Sequence, residues 1–180
     1  MSTENAIVST LPAGVVTHQS RGLLVRMFAD PHLLEPAERG DLVAQLRQAV
    51  EEHPEVSELR VLLGMAMCVN FEVQPAIEEL RTAVQLAPQS FIAQLKMGEL
   101  WMRLRVIDKA EEHTKRAGLL ARNGAQSELA RRQAATLRTI RQQGIERGGY
   151  RNLLSLGRLR RLFTPKRGVP ALANFFTRGA

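Results

Sequence analysis

The sequence is short of almost everything that secreted, catalytic and membrane-spanning chains rely on. It holds one cysteine, Cys68, in 180 residues. No internal disulfide can form, and no cluster of thiols is present for a structural zinc site. Aromatics are only 4%, so a core has to be built from Leu, Val, Ala and Met. No apolar run approaches the roughly 20 residues that a membrane-spanning helix needs. The opening stretch, MSTENAIVSTLPAGVV, has no basic region followed by a long apolar one. No secretory signal is read there, and a reducing cytoplasm is the expected compartment.

Groups for chemistry are equally sparse. His18, His32, His53 and His113 fall on predicted loops and helix ends. None stands at metal-ligand spacing to another His or to Cys68. Cys68 sits among Ala66, Met67 and Val69, the setting of a small buried hydrophobe rather than a nucleophile. Gly148-Gly149 lacks the pattern of a phosphate-binding loop. Glu51, Glu52, Glu55 and Glu58 gather near His53 as a solvated face at a helix junction. The expectation is no enzyme, no metal and no cofactor.

Negative charge is missing from one end. From residue 147 onward there are eight basic residues and no Asp or Glu. The chain has 25 basic and 18 acidic groups in all, a net of +7. The part before residue 147 is therefore close to neutral. The last stretch reads as a basic arm on a near-neutral body. Arg151, Arg158, Arg160, Arg161, Lys166 and Arg167 are its candidate contact residues. Such an arm suits an anionic membrane surface, an acidic protein or nucleic acid, and it also reads as a solvated tail. Residues 150–163, YRNLLSLGRLRRLF, mix leucines with four arginines as a weak basic amphipathic helix. Such a helix also suits docking on the end of a helix stack. Arg147-Gly148-Gly149-Tyr150-Arg151 gives only a single copy of an RGG-like element, a weak signal for nucleic acid. Phe175 and Phe176 add apolar bulk beyond what a solvating tail needs.

What is present in quantity is helical periodicity. Leu42, Leu46, Ala49 and Val50 recur at i, i+4, i+7 and i+8 behind Pro36, which suits the first turn of a helix. That helix should stop near His53-Pro54. A shorter helix over 20–29 should end before Pro31. Five more follow near 56–70, 74–86, 90–103, 107–120 and 125–143. The breaks are short, which makes neighbouring helices antiparallel. No alternating strand pattern appears, so the chain reads all-α.

The helices also repeat. Pro54 and Pro88, Gly64 and Gly98, and Ala76 and Ala110 are each 34 residues apart, and Ala49, Ala83 and Ala117 step by 34 twice. Two antiparallel helices approach closely only where a side chain at the crossing is small. Gly64 with Ala76, and Gly98 with Ala110, are the expected crossings. Leu63, Met67, Leu80, Met97 and Trp101 should fill the gaps.

On these residues the chain resembles the tetratricopeptide repeat (TPR) family, whose pattern is W-x2-L-G-x2-Y, then A-x3-F, a further Ala and a Pro. Full repeats fall at 57–90 and 91–124. The first shows Leu63-Gly64, Met67, Ala76, Leu80, Ala83 and Pro88. The second shows Met97-Gly98, Trp101, Ala110 and Ala117, and departs at Thr114, where a large apolar residue is usual, and at Arg122, where Pro is usual. Residues 20–56 make a partial repeat, and 125–143 a capping helix with a polar face. A helical hairpin array without TPR geometry is the competing architecture.

The resemblance implies a short α-solenoid of antiparallel helix pairs over 20–143; composition and charge add a flexible segment over 1–19 and the arm over 144–180. It implies protein–protein interaction, as a small adaptor or assembly subunit, with first helices lining a peptide-binding groove. Carried over, the groove is Val61, Met65, Cys68, Val69, Ile92, Leu95, Glu99 and Met102, flanked by Glu58 and Arg103. The Lys and Asn side chains with which one TPR subclass clamps chaperone C-termini are replaced by Val61 and Met65. The expected partner is another protein. Self-association is a further way to complete so short a stack. Residues 11–16, 23–28 and 171–176 are apolar enough to close the groove from within. A peripheral anchor acting through the arm is the alternative function.

Overall fold

The structure, a computed structural model, describes residues 15–143 of the chain. They form seven α-helices: α1 (His18–Ala29), α2 (Pro36–Glu52), α3 (Ser57–Val69), α4 (Val73–Leu86), α5 (Phe91–Arg103), α6 (Ile107–Leu120) and α7 (Gly124–Gln142), with one 3-10 turn at Pro31–Leu33. There is no strand among the described residues.

Local chemistry sets the helix ends. Thr17 opens α1 by accepting the Ser20 N–H at 3.1 Å. Pro36 starts α2, and the Glu38 carboxylate accepts the Glu35 N–H at 2.9 Å. Ser90 caps α5, and Asn123 caps α7 by accepting the Gln126 N–H at 2.9 Å. Each cap satisfies a backbone donor that the first turn leaves without a partner.

Helix α1 begins at His18, and Val16 before it is buried. The folded body therefore includes residues assigned by composition to the flexible segment over 1–19. Two apolar residues, Val15 and Val16, pack on the core and draw the chain in.

The 34-residue period reappears in the helix bounds. Helix α5 starts and ends 34 residues after α3, and α6 does the same relative to α4. Helix α2 ends 34 residues before α4. The partial repeat departs at α1, which Asp30-Pro31 stops early. Helix α3 packs on α2, α4 and α5, and α5 packs on α3, α4, α6 and α7. First helices are thus enclosed on several sides, and second helices are wedged between successive first ones.

The main core runs from α1 to α5 and includes the fully buried Leu24, Leu46, Leu62 and Leu80. Each such leucine contributes about 1.5–3 kcal/mol relative to exposure. A second cluster joins Phe91, Leu95, Ala117 and Ala130, and a third joins Ile107, Ala110 and Leu137. Both lie where α7 covers the second repeat.

The two glycine crossings differ in detail from the sequence expectation. A Cβ on Gly64 would stand 2.8 Å from Leu80 Cγ and 3.3 Å from the Ala76 carbonyl oxygen. One on Gly98 would meet Gln133 Nε2 at 2.7 Å and Thr114 Oγ1 at 2.9 Å rather than Ala110. Thr114 occupies the place of Leu80, one repeat on. It is buried, and its hydroxyl accepts from Gln133 Nε2 at 3.0 Å. The same amide donates to the Leu95 carbonyl at 3.2 Å. A polar node has replaced the usual apolar contact, and α7 supplies its partner.

Candidate functional site

Helices α1, α3 and α5 stand side by side, and a cavity of about 170 Å³ opens between them. Helix α1 contributes Met27 and Phe28, and the turn after it Pro31. Helix α3 contributes Met65, Cys68 and Val69. Helix α5 contributes Lys96, Glu99, Leu100 and Arg103, and Leu80 of α4 lies at the base. Small-molecule sites usually enclose ~300–1,000 Å³. This opening is on the scale of an inserted side chain.

One wall is an ion ladder along α5. Lys96 Nζ lies 3.0 Å from Glu99 Oε2, and Arg103 Nη2 lies 2.7 Å from Glu99 Oε1. Lys96 is itself buried. Burial pushes the Glu99 carboxyl up, but the charges of Lys96 and Arg103 outweigh it and hold it below the usual carboxylate range. Glu99 is therefore ionised at neutral pH, and its two oxygens are already engaged. The opposite wall is thioether, ring and aliphatic carbon. Burial pushes the Cys68 thiol up to about 11, so it stays protonated and adds soft apolar surface rather than a nucleophile.

The cavity gathers Met65, Cys68, Val69, Glu99 and Arg103 out of the sequence-derived groove. It does not gather the others. Val61 is fully buried in the main core, because α3 is covered by three helices and keeps only a narrow free strip. Leu95 is buried under α7 against Ala117 and Ala130. Ile92 packs partly on both of these clusters, and Met102 packs against Ile107, Ala110 and Leu137. None of these four lines the opening. Missed from the sequence were Met27, Phe28, Pro31, Lys96 and Leu100. The signal for the α1 residues lay in the partial repeat over 20–56, whose first helix takes the next place along the stack. Of residues 23–28, considered as a plug, Met27 and Phe28 instead form a wall, and Leu23 and Leu24 are in the main core. Residues 11–14 and 171–176 lie outside the described residues, as do Arg151, Arg158, Arg160, Arg161, Lys166 and Arg167 of the arm.

Away from the cavity, His113 Nδ1 lies 2.8 Å from Gln94 Oε1, and Gln94 Nε2 donates to the Pro88 carbonyl at 3.1 Å. Burial lowers the His113 pKa. The pair braces the turn before α5 against α6. Among the described residues no three His, Cys, Asp or Glu side chains are grouped to hold a metal. None of the described helices is long and apolar enough to cross a membrane.

No protein-family model matches the chain, and no curated protein matches it. Solved structures do. A chain of a T3SS complex from Aeromonas hydrophila is similar at a TM-score of 0.55 and 17% identity, over 71% of this chain and 84% of that one. The first TPR of Spaghetti (RPAP3), bound to the HSP90 peptide SRMEEVD, gives a TM-score of 0.48 at 16% identity, over 70% of this chain and 99% of that one. Identity this low speaks for the fold alone. With the 34-residue period in both sequence and helix bounds, the chain is a short all-α solenoid of TPR-like helix pairs.

Proposed function

We propose that the chain is a protein-interaction module, a small TPR-type adaptor or assembly subunit that holds a segment of another protein between α1, α3 and α5. The observation that carries this reading is the make-up of the cavity. Met27 and Phe28 of α1 meet Met65 and Val69 of α3 at one opening, beside an ion ladder that fixes one edge. An apolar side chain inserted there leaves water, while charged groups at the rim meet the partner's polar atoms. Thioethers adapt their shape to what enters.

Affinity capture from native lysate tests it, with the full chain as bait. The wild type should retain one stoichiometric protein in a salt-insensitive way. Met65→Glu, which places a charge in the opening, should lose it. Full retention by a Met65→Glu protein that melts like the wild type would sink the reading.

A second reading rests on the eight basic and no acidic residues after position 146. In it the arm anchors the protein to an anionic membrane surface, an acidic protein or nucleic acid, and the helical body is its carrier. Charge reversal at Arg158, Arg160 and Arg161 should then abolish an association that high salt also removes.

A further inference from the structure

Among the described residues the stack ends on a helix without an antiparallel partner after it. Helices α3 and α5 are each followed by an antiparallel partner, α4 and α6. Helix α7 stands where a third pair begins, and among the described residues nothing follows it. A groove of about 520 Å³ lies between α6 and α7. No residue of α5 lines it, so it is on the flank where a partner of α7 would pack. Its floor is small and apolar: Gly118 from α6, and Ala130, Ala134 and Leu137 from α7. Small residues of this kind let a helix approach closely.

We propose that residues 150–163 of this chain fold back as a helix into the α6–α7 groove and complete a third helical pair. The chain runs 37 residues beyond Gln143 and leaves α7 about one turn after Arg138, at the end of the groove. Gly144, Gly148 and Gly149 lie in the stretch that has to reverse direction. Leu153, Leu156, Leu159 and Phe163 then recur at steps of three, three and four, within about 120° of a helix, an arc that Asn152 and Arg160 share. Fourteen helical residues span about 21 Å, and the floor from Ser127 to Arg138 about 16 Å, so the lengths agree.

Charge separates this occupant from others. Four charged residues line the groove: Glu111 and Arg131 are held in ion pairs with Arg141 and Glu128, while Lys115 and Arg138 have no ion-pair partner among the described residues. The segment carries Arg151, Arg158, Arg160 and Arg161. The rim and the segment therefore repel weakly, and burial of the leucines by a tethered segment outweighs that screened repulsion. Docking of this chain's own arm should tighten as salt rises. An acidic partner helix would behave in the opposite way.

Amide hydrogen exchange on the full chain tests the proposal. Against a Leu153→Glu, Leu156→Glu, Leu159→Glu variant, the wild type should protect α7 and the facing side of α6 by at least about tenfold. Helices α3 and α4, unchanged in both, serve as the folding control. Wild-type protection should hold or grow from about 50 to about 500 mM NaCl. A groove-side variant, Ala134→Arg, should expose Arg158, Arg160 and Arg161 to trypsin. Equal exchange in wild type and triple variant would overturn the proposal, as would protection lost at high salt or unchanged cleavage in Ala134→Arg. Protection that rises with protein concentration would also overturn it, because a second copy would then be the occupant.

Discussion

Phe71 and Arg105 occupy the same place in successive repeats and share one unusual backbone conformation, with φ at 65° and 60°. Each lies two residues beyond the end of a first helix. Just beyond them, the Glu72 N–H donates to the Met67 carbonyl and the Val106 N–H to the Trp101 carbonyl, both at 2.9 Å. This closure turns the chain sharply into the second helix and satisfies a carbonyl that the helix end leaves over. The repeat is copied in backbone geometry as well as in side chains.

A side chain in the left-handed region costs roughly 1–2 kcal/mol that glycine avoids, offset in part by glycine's greater freedom when unfolded. Arg105→Gly should therefore raise stability by about 0.5–1 kcal/mol in a denaturant titration. Phe71→Gly should gain less, since the Arg39 guanidinium lies 5.9 Å from the ring centroid. A fall in stability for Arg105→Gly would contradict the turn geometry.

Two glycines should respond to the same substitution with opposite signs. At Gly64 a new Cβ would meet Leu80 Cγ at 2.8 Å, and Gly64→Ala should cost about 1–3 kcal/mol by overpacking. At Gly40, within α2, nothing lies within 4 Å. Gly40→Ala should gain about 0.5–1 kcal/mol through helix propensity. Paired thermal melts decide both, and equal shifts would refute the crossing at Gly64.

The node of Gln133 and Thr114 couples α7 to the second repeat. Thr114→Val should cost about 1–2 kcal/mol, because it removes one of the two acceptors of a half-buried amide. A Thr114→Val, Gln133→Leu double variant should lose less than the two single losses combined. Strict additivity in a double-mutant cycle would mean that the hydrogen bond contributes nothing.

Glu99 makes stability depend on acid. Its pKa is lowered in the folded state by Lys96 and Arg103, against the upward push of burial. Its contribution is fully present above the ordinary carboxylate pKa and is lost as pH falls through the lowered folded value. Glu99→Gln should flatten the stability profile in that acid window and lower stability at pH 7. Urea titrations at several pH values measure this, and an unchanged acid slope in the variant would exclude the ladder as its source.

The helices were legible in the sequence to within two residues because local groups set their ends: Pro36, His53-Pro54, Pro88, Ser90 and Asn123. The pairing was legible because close crossings need small residues, and small residues recur every 34 positions. The cavity was legible only in part. Along α3, Val61, Met65 and Val69 are all apolar, and the alphabet does not distinguish a residue under a neighbouring helix from one beside an opening.

The sequence by itself determined an all-α chain, its short antiparallel connections, its repeat length and the imbalance of charge toward its end. Those properties follow from period, breakers and composition, which act over one or two turns. Only the tertiary structure decided that Val61 and Leu95 are core, that α1 walls the cavity, and that Thr114 finds its partner on α7. Each depends on which helix comes to lie over a given face, and that is set by packing between residues far apart in the chain.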